Sequence, residues 1–209
     1  MQNIHFTNQS TDAELVAGCS QQQRSAQRLL YQRYYGKMLG ICMRYTSNRE
    51  EAEDVLNRAF LKIFQNIGGY GEQGSLSGWM ATITLRTAID HVRSHVKYRQ
   101  VMEFDGGHDL PDDAVALDNL YAEDLYRLIQ QLPPTGRAVF SMNVVEGYTH
   151  QEISEMLGIN VNTSKWHLAE AKKQLREWLA PKISTLPKAA SRLSPAFEKV
   201  LSGPDFSKH

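Results

Sequence analysis

A Ser or Thr followed three residues later by Glu, immediately ahead of an amphipathic run, occurs at Thr11-Asp12-Ala13-Glu14, Ser47-Asn48-Arg49-Glu50 and Thr149-His150-Gln151-Glu152. In such a capping box the hydroxyl and the carboxylate satisfy amides that the first helical turn leaves unpaired, so each box predicts a helix start. Behind them apolar residues recur at spacings of three and four, and no convincing period-two alternation appears. The pattern predicts an all-α fold.

Turn residues divide the pattern. A first helix is expected from residue 12, and a second over 23–45, with Leu30, Tyr34, Met38, Ile41 and Tyr45 on one face. A third, 48–66, carries Ala52, Val55, Leu56, Ala59, Phe60 and Ile63. Gly68-Gly69-Tyr70-Gly71 and Gly74 then require a loop. In a fourth helix, 76–98, Leu76, Trp79, Met80 and Ile83 point one way, and Leu85, Ile89, Val92 and Val96 lie more than a quarter-turn round. That offset predicts a kink or a change of packing partner. Residues 99–120, with DGGHDLPDD, read as an acidic linker. In residues 121–180, a run through Leu125, Leu128, Ile129 and Leu132 stops at Pro133-Pro134 and resumes to Gly147. A short helix to Gly158 and a longer one capped by Asn160 follow, the layout of a helix-turn-helix. Two small helical domains, 12–98 and 121–180, are therefore expected, with a tail at 181–209 that carries no readable motif.

The chain of 209 residues balances 23 Lys plus Arg with 23 Asp plus Glu. That zero is a cancellation: residues 12–98 carry 11 basic and 8 acidic groups, and 99–120 carry one basic against six acidic. No run approaches the ~20 apolar residues of a spanning helix, and the amino terminus lacks a signal-peptide layout, so a cytoplasmic chain without membrane insertion is expected. Cys19 and Cys42 are too few and too far apart for a zinc cluster or disulfide framework, which predicts buried thiols.

Two outward faces stand out. On the third helix Glu50, Asp54, Asn57 and Leu61 fall at i, i+4, i+7 and i+11, opposite the core, and resemble a docking strip for a helical partner. On the last helix the outward side holds Asn162, Thr163, Trp166, Ala169 and Lys173, flanked by Lys165 and Arg176. An outward tryptophan forgoes roughly 2 kcal/mol of burial unless something covers it, and the surrounding lysines favour DNA, with polar side chains at base edges and lysines at phosphates. Along the fourth helix Arg86, Arg93 and Lys97 suit phosphate contact. His91 and His95 have the i, i+4 spacing of a metal pair but need a third ligand, and no metal is expected. Nucleophile motifs, glycine phosphate loops and Glu-x-x-His are missing, so no catalytic residues and no cofactor are expected.

The segments AEDVLNRAFLKIF (52–64), WMATITLRTAIDHVR (79–93), LPPTGRAVF (132–140), EGYTHQEISEMLGI (146–159) and NTSKWHLAEAKKQLR (162–176) resemble, in this order, the extracytoplasmic-function sigma factors of bacterial RNA polymerase. The resemblance implies that 12–98 is region 2, which binds core polymerase and the promoter −10 element, and 121–180 is region 4, which binds the −35 element. By position, it places Ala52, Glu53, Asp54, Asn57, Phe60 and Leu61 at the polymerase contact. It places Tyr70, Arg86, His91 and Arg93 where the −10 strand is opened and read, and Asn162, Thr163, Lys165, Trp166 and His167 on the recognition helix. An anti-sigma factor masking both domains is implied by the same analogy. Asn57-Arg58 stands where the family usually has Gln-Glu, Arg86 where it has Asn, and Trp166 where it has a small residue. The alternative is a stand-alone helix-turn-helix regulator that binds an operator without polymerase. A helical adaptor that binds only protein is a third possibility.

Overall fold

The computed structural model describes residues 6–71, 74–102 and 122–184. Within these every regular element is helical: α1 (Asp12–Ser20), α2 (Arg24–Met43), α3 (Arg49–Asn66), α4 (Leu76–Met102), α5 (Ala122–Gln131), α6 (Pro134–Phe140), α7 (His150–Leu157) and α8 (Val161–Ser184). The chain divides into two compact units, residues 1–91 and 92–209, and α4 runs through the division. Most of the expected acidic linker and the tail beyond 184 lie outside the described residues.

In the first unit Thr11 caps α1, its hydroxyl accepting from the Glu14 amide while Glu14 accepts from the Thr11 amide at 2.7 Å. The Asp12 carboxylate then accepts from Arg33 at 3.0 Å and from the Tyr34 hydroxyl at 2.6 Å, tying the start of α1 to α2. Leu15, Leu30, Met38, Ile41, Val55, Leu56, Phe60 and Ile63 fill the core between α1, α2 and α3. Cys19 and Cys42 are both buried free thiols, and burial pushes their pKa values up to about 11 and about 12.

The second capping box is displaced from its expected place. Asn48 caps α3, its side chain accepting from the Glu51 amide, while the Glu51 carboxylate takes the Ser47 amide at 2.6 Å. Either Ser47 or Asn48 has a side chain suited to capping, and a shift by one residue brings Glu51 instead of Glu50 to the third helical position.

In helix α4 the buried residues Leu76, Met80, Thr84, Thr87, Ala88, Ile89, Val92 and Val96 move progressively round the helix, because each step of four residues turns about 40° past a full turn, so the buried face shifts along its length as expected. The link is Thr84, which apolar periodicity skips. Its hydroxyl donates to the Met80 carbonyl at 2.9 Å and lies 3.3 Å from Met38 Sδ. Thr87 likewise bonds the Ile83 carbonyl at 2.8 Å. A threonine that satisfies its own hydroxyl on the preceding turn can be buried. Thr84 thus bridges the two expected apolar sets, and α4 runs past the expected end at 98.

In the second unit Pro133 caps α6, with Pro134 at the first helical position, where a missing amide hydrogen costs nothing. The helix widens into a π turn over Ser141–Val145. The Thr149–Glu152 box forms as expected and holds the Glu152 carboxyl below its usual range, through the Thr149 amide first and its hydroxyl second. Gly158 ends α7 at φ 69°, a left-handed conformation that favours glycine. Helix α8 packs on α5, α6 and α7, burying Ser164, Leu168, Ala171, Leu175 and Leu179, and runs beyond the expected boundary at 180. Ser164 is the unpredicted member of that stripe. It sits 2.9 Å from His150 Nδ1, a polar link between α7 and α8.

Candidate functional site

The α3 surface carries the first candidate site. Glu50, Asp54, Asn57 and Leu61 are exposed in one line, and Leu61 is 58% exposed. Ala52 and Phe60, expected at the contact, are instead buried in the core. The Phe60 ring lies 4.5 Å from Tyr31 and 5.8 Å from Phe64. Glu53 is half-buried and faces α2, accepting from the Tyr35 hydroxyl at 2.9 Å and from Arg49 at 2.9 Å. Those two donors, Tyr35 foremost, hold its carboxyl below the usual range, so Glu53 braces α3 on α2. Asn57 accepts from the Tyr31 hydroxyl at 3.3 Å and stays exposed beside Leu61.

On α4, Arg86, Arg93 and Lys97 are exposed along the basic stripe. Tyr98, 61% exposed, extends this stretch with an aromatic that periodicity did not single out. Asp90 reaches across to Lys62 of α3 at 3.7 Å. The His91 side chain is only 9% exposed and faces α3, its Nε2 2.7 Å from Glu51 Oε1. His91, which the resemblance places with Arg86 and Arg93 at the −10 strand, is thus turned inward as a partner of Glu51. Tyr70, in the loop before α4, is half-buried. Its hydroxyl donates to the Gly74 carbonyl at 2.7 Å, and its ring lies 5.5 Å from Trp79. Gly74, at φ 98°, makes that closure possible.

The second unit presents the amino-terminal turns of α8. The Asn160 side chain accepts from the Asn162 amide at 2.8 Å, leaving the Asn162 side chain outward with Thr163, Lys165 and Trp166. Trp166 is 61% exposed. His167 is half-buried, its ring edge-on to Trp166 at 4.9 Å, and burial lowers its pKa. Lys173 is exposed two turns further on. The helix-turn-helix therefore displays a polar and aromatic face with flanking cations, the composition that contacts base edges and phosphates.

Residues 30–98 match the family Sigma-70 region 2, and residues 122–175 match Sigma-70, region 4, together covering more than half of the chain. The chain belongs to the extracytoplasmic-function sigma factors of bacterial RNA polymerase. It is 26% identical over 186 residues to the RNA polymerase sigma-H factor of Pseudomonas aeruginosa, covering 83% of this chain and 96% of that one. To the ECF RNA polymerase sigma-E factor of Haemophilus influenzae it is 23% identical, with 84% and 99% covered. To the ECF RNA polymerase sigma factor SigW of Bacillus subtilis it is 28% identical, with 70% and 84% covered.

This sigma factor directs core polymerase to promoters through −10 and −35 recognition and promotes strand opening. Sigma factors are transcription regulators rather than enzymes. Among the described residues no helix is long and apolar enough to cross a membrane.

Proposed function

We propose that the α3 line Glu50, Asp54, Asn57 and Leu61 is the surface that docks on core polymerase. The observation that carries this is Leu61, a leucine 58% exposed at the end of an otherwise polar line on the helix. An apolar anchor continued by an amide and two acids along one helix face is the composition of a small helix-docking surface. Glu53 supports that surface from behind through Tyr35 and Arg49.

The exposed stretch Arg86, Arg93, Lys97 and Tyr98 tracks the opened −10 strand, cations on phosphates and the aromatic ring available to a base. Tyr70 shapes the loop leading into it. Residues 121–180 form the −35 module, in which Asn162, Thr163, Lys165 and Trp166 enter the major groove and Lys173 meets the backbone. His167, half-buried, positions the Trp166 ring. Because each module is carried on one chain, binding of one raises the effective concentration of the other. The factor has no catalytic chemistry of its own and works in the cytoplasm with polymerase. By family analogy an anti-sigma factor covers the same exposed faces.

In vitro transcription with core enzyme and a promoter library tests the reading. The parent chain should support promoter-dependent initiation, and the double variant Asp54→Lys, Leu61→Glu should lose core binding while keeping its helicity. Core binding by that variant equal to the parent's refutes the docking surface. An operator footprint by the chain alone, with no polymerase association, would favour the stand-alone regulator.

A further inference from the structure

Helices α3 and α4 bring together three metal-ligating side chains that the promoter reading does not use. Glu51, His91 and His95 each offer one ligand atom, and these atoms lie within 4.8 Å of one another. The local geometry follows from the sequence. His91 and His95 are one turn apart on α4 and share a face. Glu51 occupies the third position of α3, where its Oε2 accepts the Ser47 amide at 2.6 Å. That bond fixes the carboxylate and leaves Oε1 turned to His91 Nε2 at 2.7 Å.

We propose that Glu51, His91 and His95 bind one divalent transition-metal ion of the zinc type. Two imidazoles and one carboxylate form a three-ligand set that zinc takes, with a fourth position left to water. Magnesium and calcium prefer oxygen donors throughout, so the two imidazoles select against them. The burial is graded: the His91 side chain is 9% exposed and that of Glu51 is 26% exposed, while His95 is exposed and provides the way in. The 2.7 Å spacing of Glu51 Oε1 and His91 Nε2 is a hydrogen bond. Two ligands of a tetrahedral zinc at its usual bond lengths stand about 3.3 Å apart, so binding displaces the shared proton and opens this pair by roughly 0.6 Å. The bound ion holds Glu51, in the first turn of α3, against His91 of α4. The proposal rests on side-chain geometry and stands whether or not the docking surface does.

The test uses the full chain, stripped of metal by a chelator and titrated with Co²⁺ while its visible ligand-field absorption is followed. One Co²⁺ should bind per chain with the strong absorption of a four- or five-coordinate site, and Zn²⁺ should displace it. Loss of groups that merely orient a ligand weakens binding 10–100-fold, so removal of a ligand should weaken it by at least about tenfold. His95→Ala is the main variant, since His95 is exposed, and Glu51→Gln is the second, since it keeps the side-chain length. Both should show at least that loss with unchanged circular dichroism. Absence of saturable Co²⁺ binding in the parent, or weak six-coordinate absorption alone, overturns the proposal. So does parent-like affinity in either variant.

Discussion

Leu61 and Phe60 are sequence neighbours whose substitution should separate binding from folding. Burying a whole leucine side chain is worth about 1.5–3 kcal/mol. With 58% of Leu61 still exposed, roughly 0.9–1.7 kcal/mol remains to be gained when core polymerase covers it. Leu61→Ala keeps Cβ and forfeits most of this, about 1 kcal/mol, which is about a fivefold weaker Kd. The fold should hardly notice, since exposed substitutions usually stay within about 0.5 kcal/mol. Phe60→Ala is the contrast, because Phe60 is 2% exposed and packs on Tyr31 and Phe64. Its truncation should cost about 3–5 kcal/mol of stability, a large share of a typical domain's total. Labelled-chain titration with core enzyme gives Kd, and thermal melting gives Tm. A change below twofold in Kd for Leu61→Ala, or a fall in Tm matching that of Phe60→Ala, refutes the assignment of Leu61 to the outer surface.

The other predictions concern the second unit. Trp166→Ala should reduce initiation at promoters that need the −35 element and leave Tm within a degree or two, as read by transcription and melting in parallel. Gly158→Ala should destabilise by about 1 kcal/mol, because the position sits at φ 69° with nothing near a new Cβ, so only backbone strain acts. Denaturant melts of that variant beside Gly158→Asn, which tolerates the left-handed region better, should show the smaller loss for Asn. His167 is held below its ordinary pKa by burial. The unfolded chain therefore takes up this proton first, and stability falls as pH drops through about 6.5, levelling off below the folded value. His167→Gln should flatten that part of a Tm-against-pH curve. An unchanged slope counts against the burial of the ring.

The parts legible from sequence were those where local chemistry and packing agree. The Thr11 and Thr149 boxes, the α3 core face and the Gly158 stop combine capping, periodicity and backbone preference in one direction. The failures share a cause, which is a polar side chain with a partner that periodicity does not count. Thr84 and Thr87 bond the preceding turn and bridge the two apolar sets of α4, which apolar periodicity alone leaves separate. Ser164 is buried against His150, and His91 turns inward to Glu51, though both look like surface residues in a helical pattern. Glu53 reads as one acid among four, and only the placement of Tyr35 on α2 shows it facing inward. The exposed functional candidates were more legible, since Leu61 and Trp166 stand out as large apolar side chains on polar faces.

The two native cysteines offer a practical opening for spectroscopy. Thiolate is the nucleophile that adds to a maleimide, and thiols whose pKa values sit at about 11 and about 12 inside the core hold almost none of it at neutral pH. A single cysteine introduced on the outer face of α3 or α8 would thus be tagged selectively, with Cys19 and Cys42 left in place. Paired dyes at two such positions could then follow the distance between the modules while the factor, its polymerase and a promoter assemble.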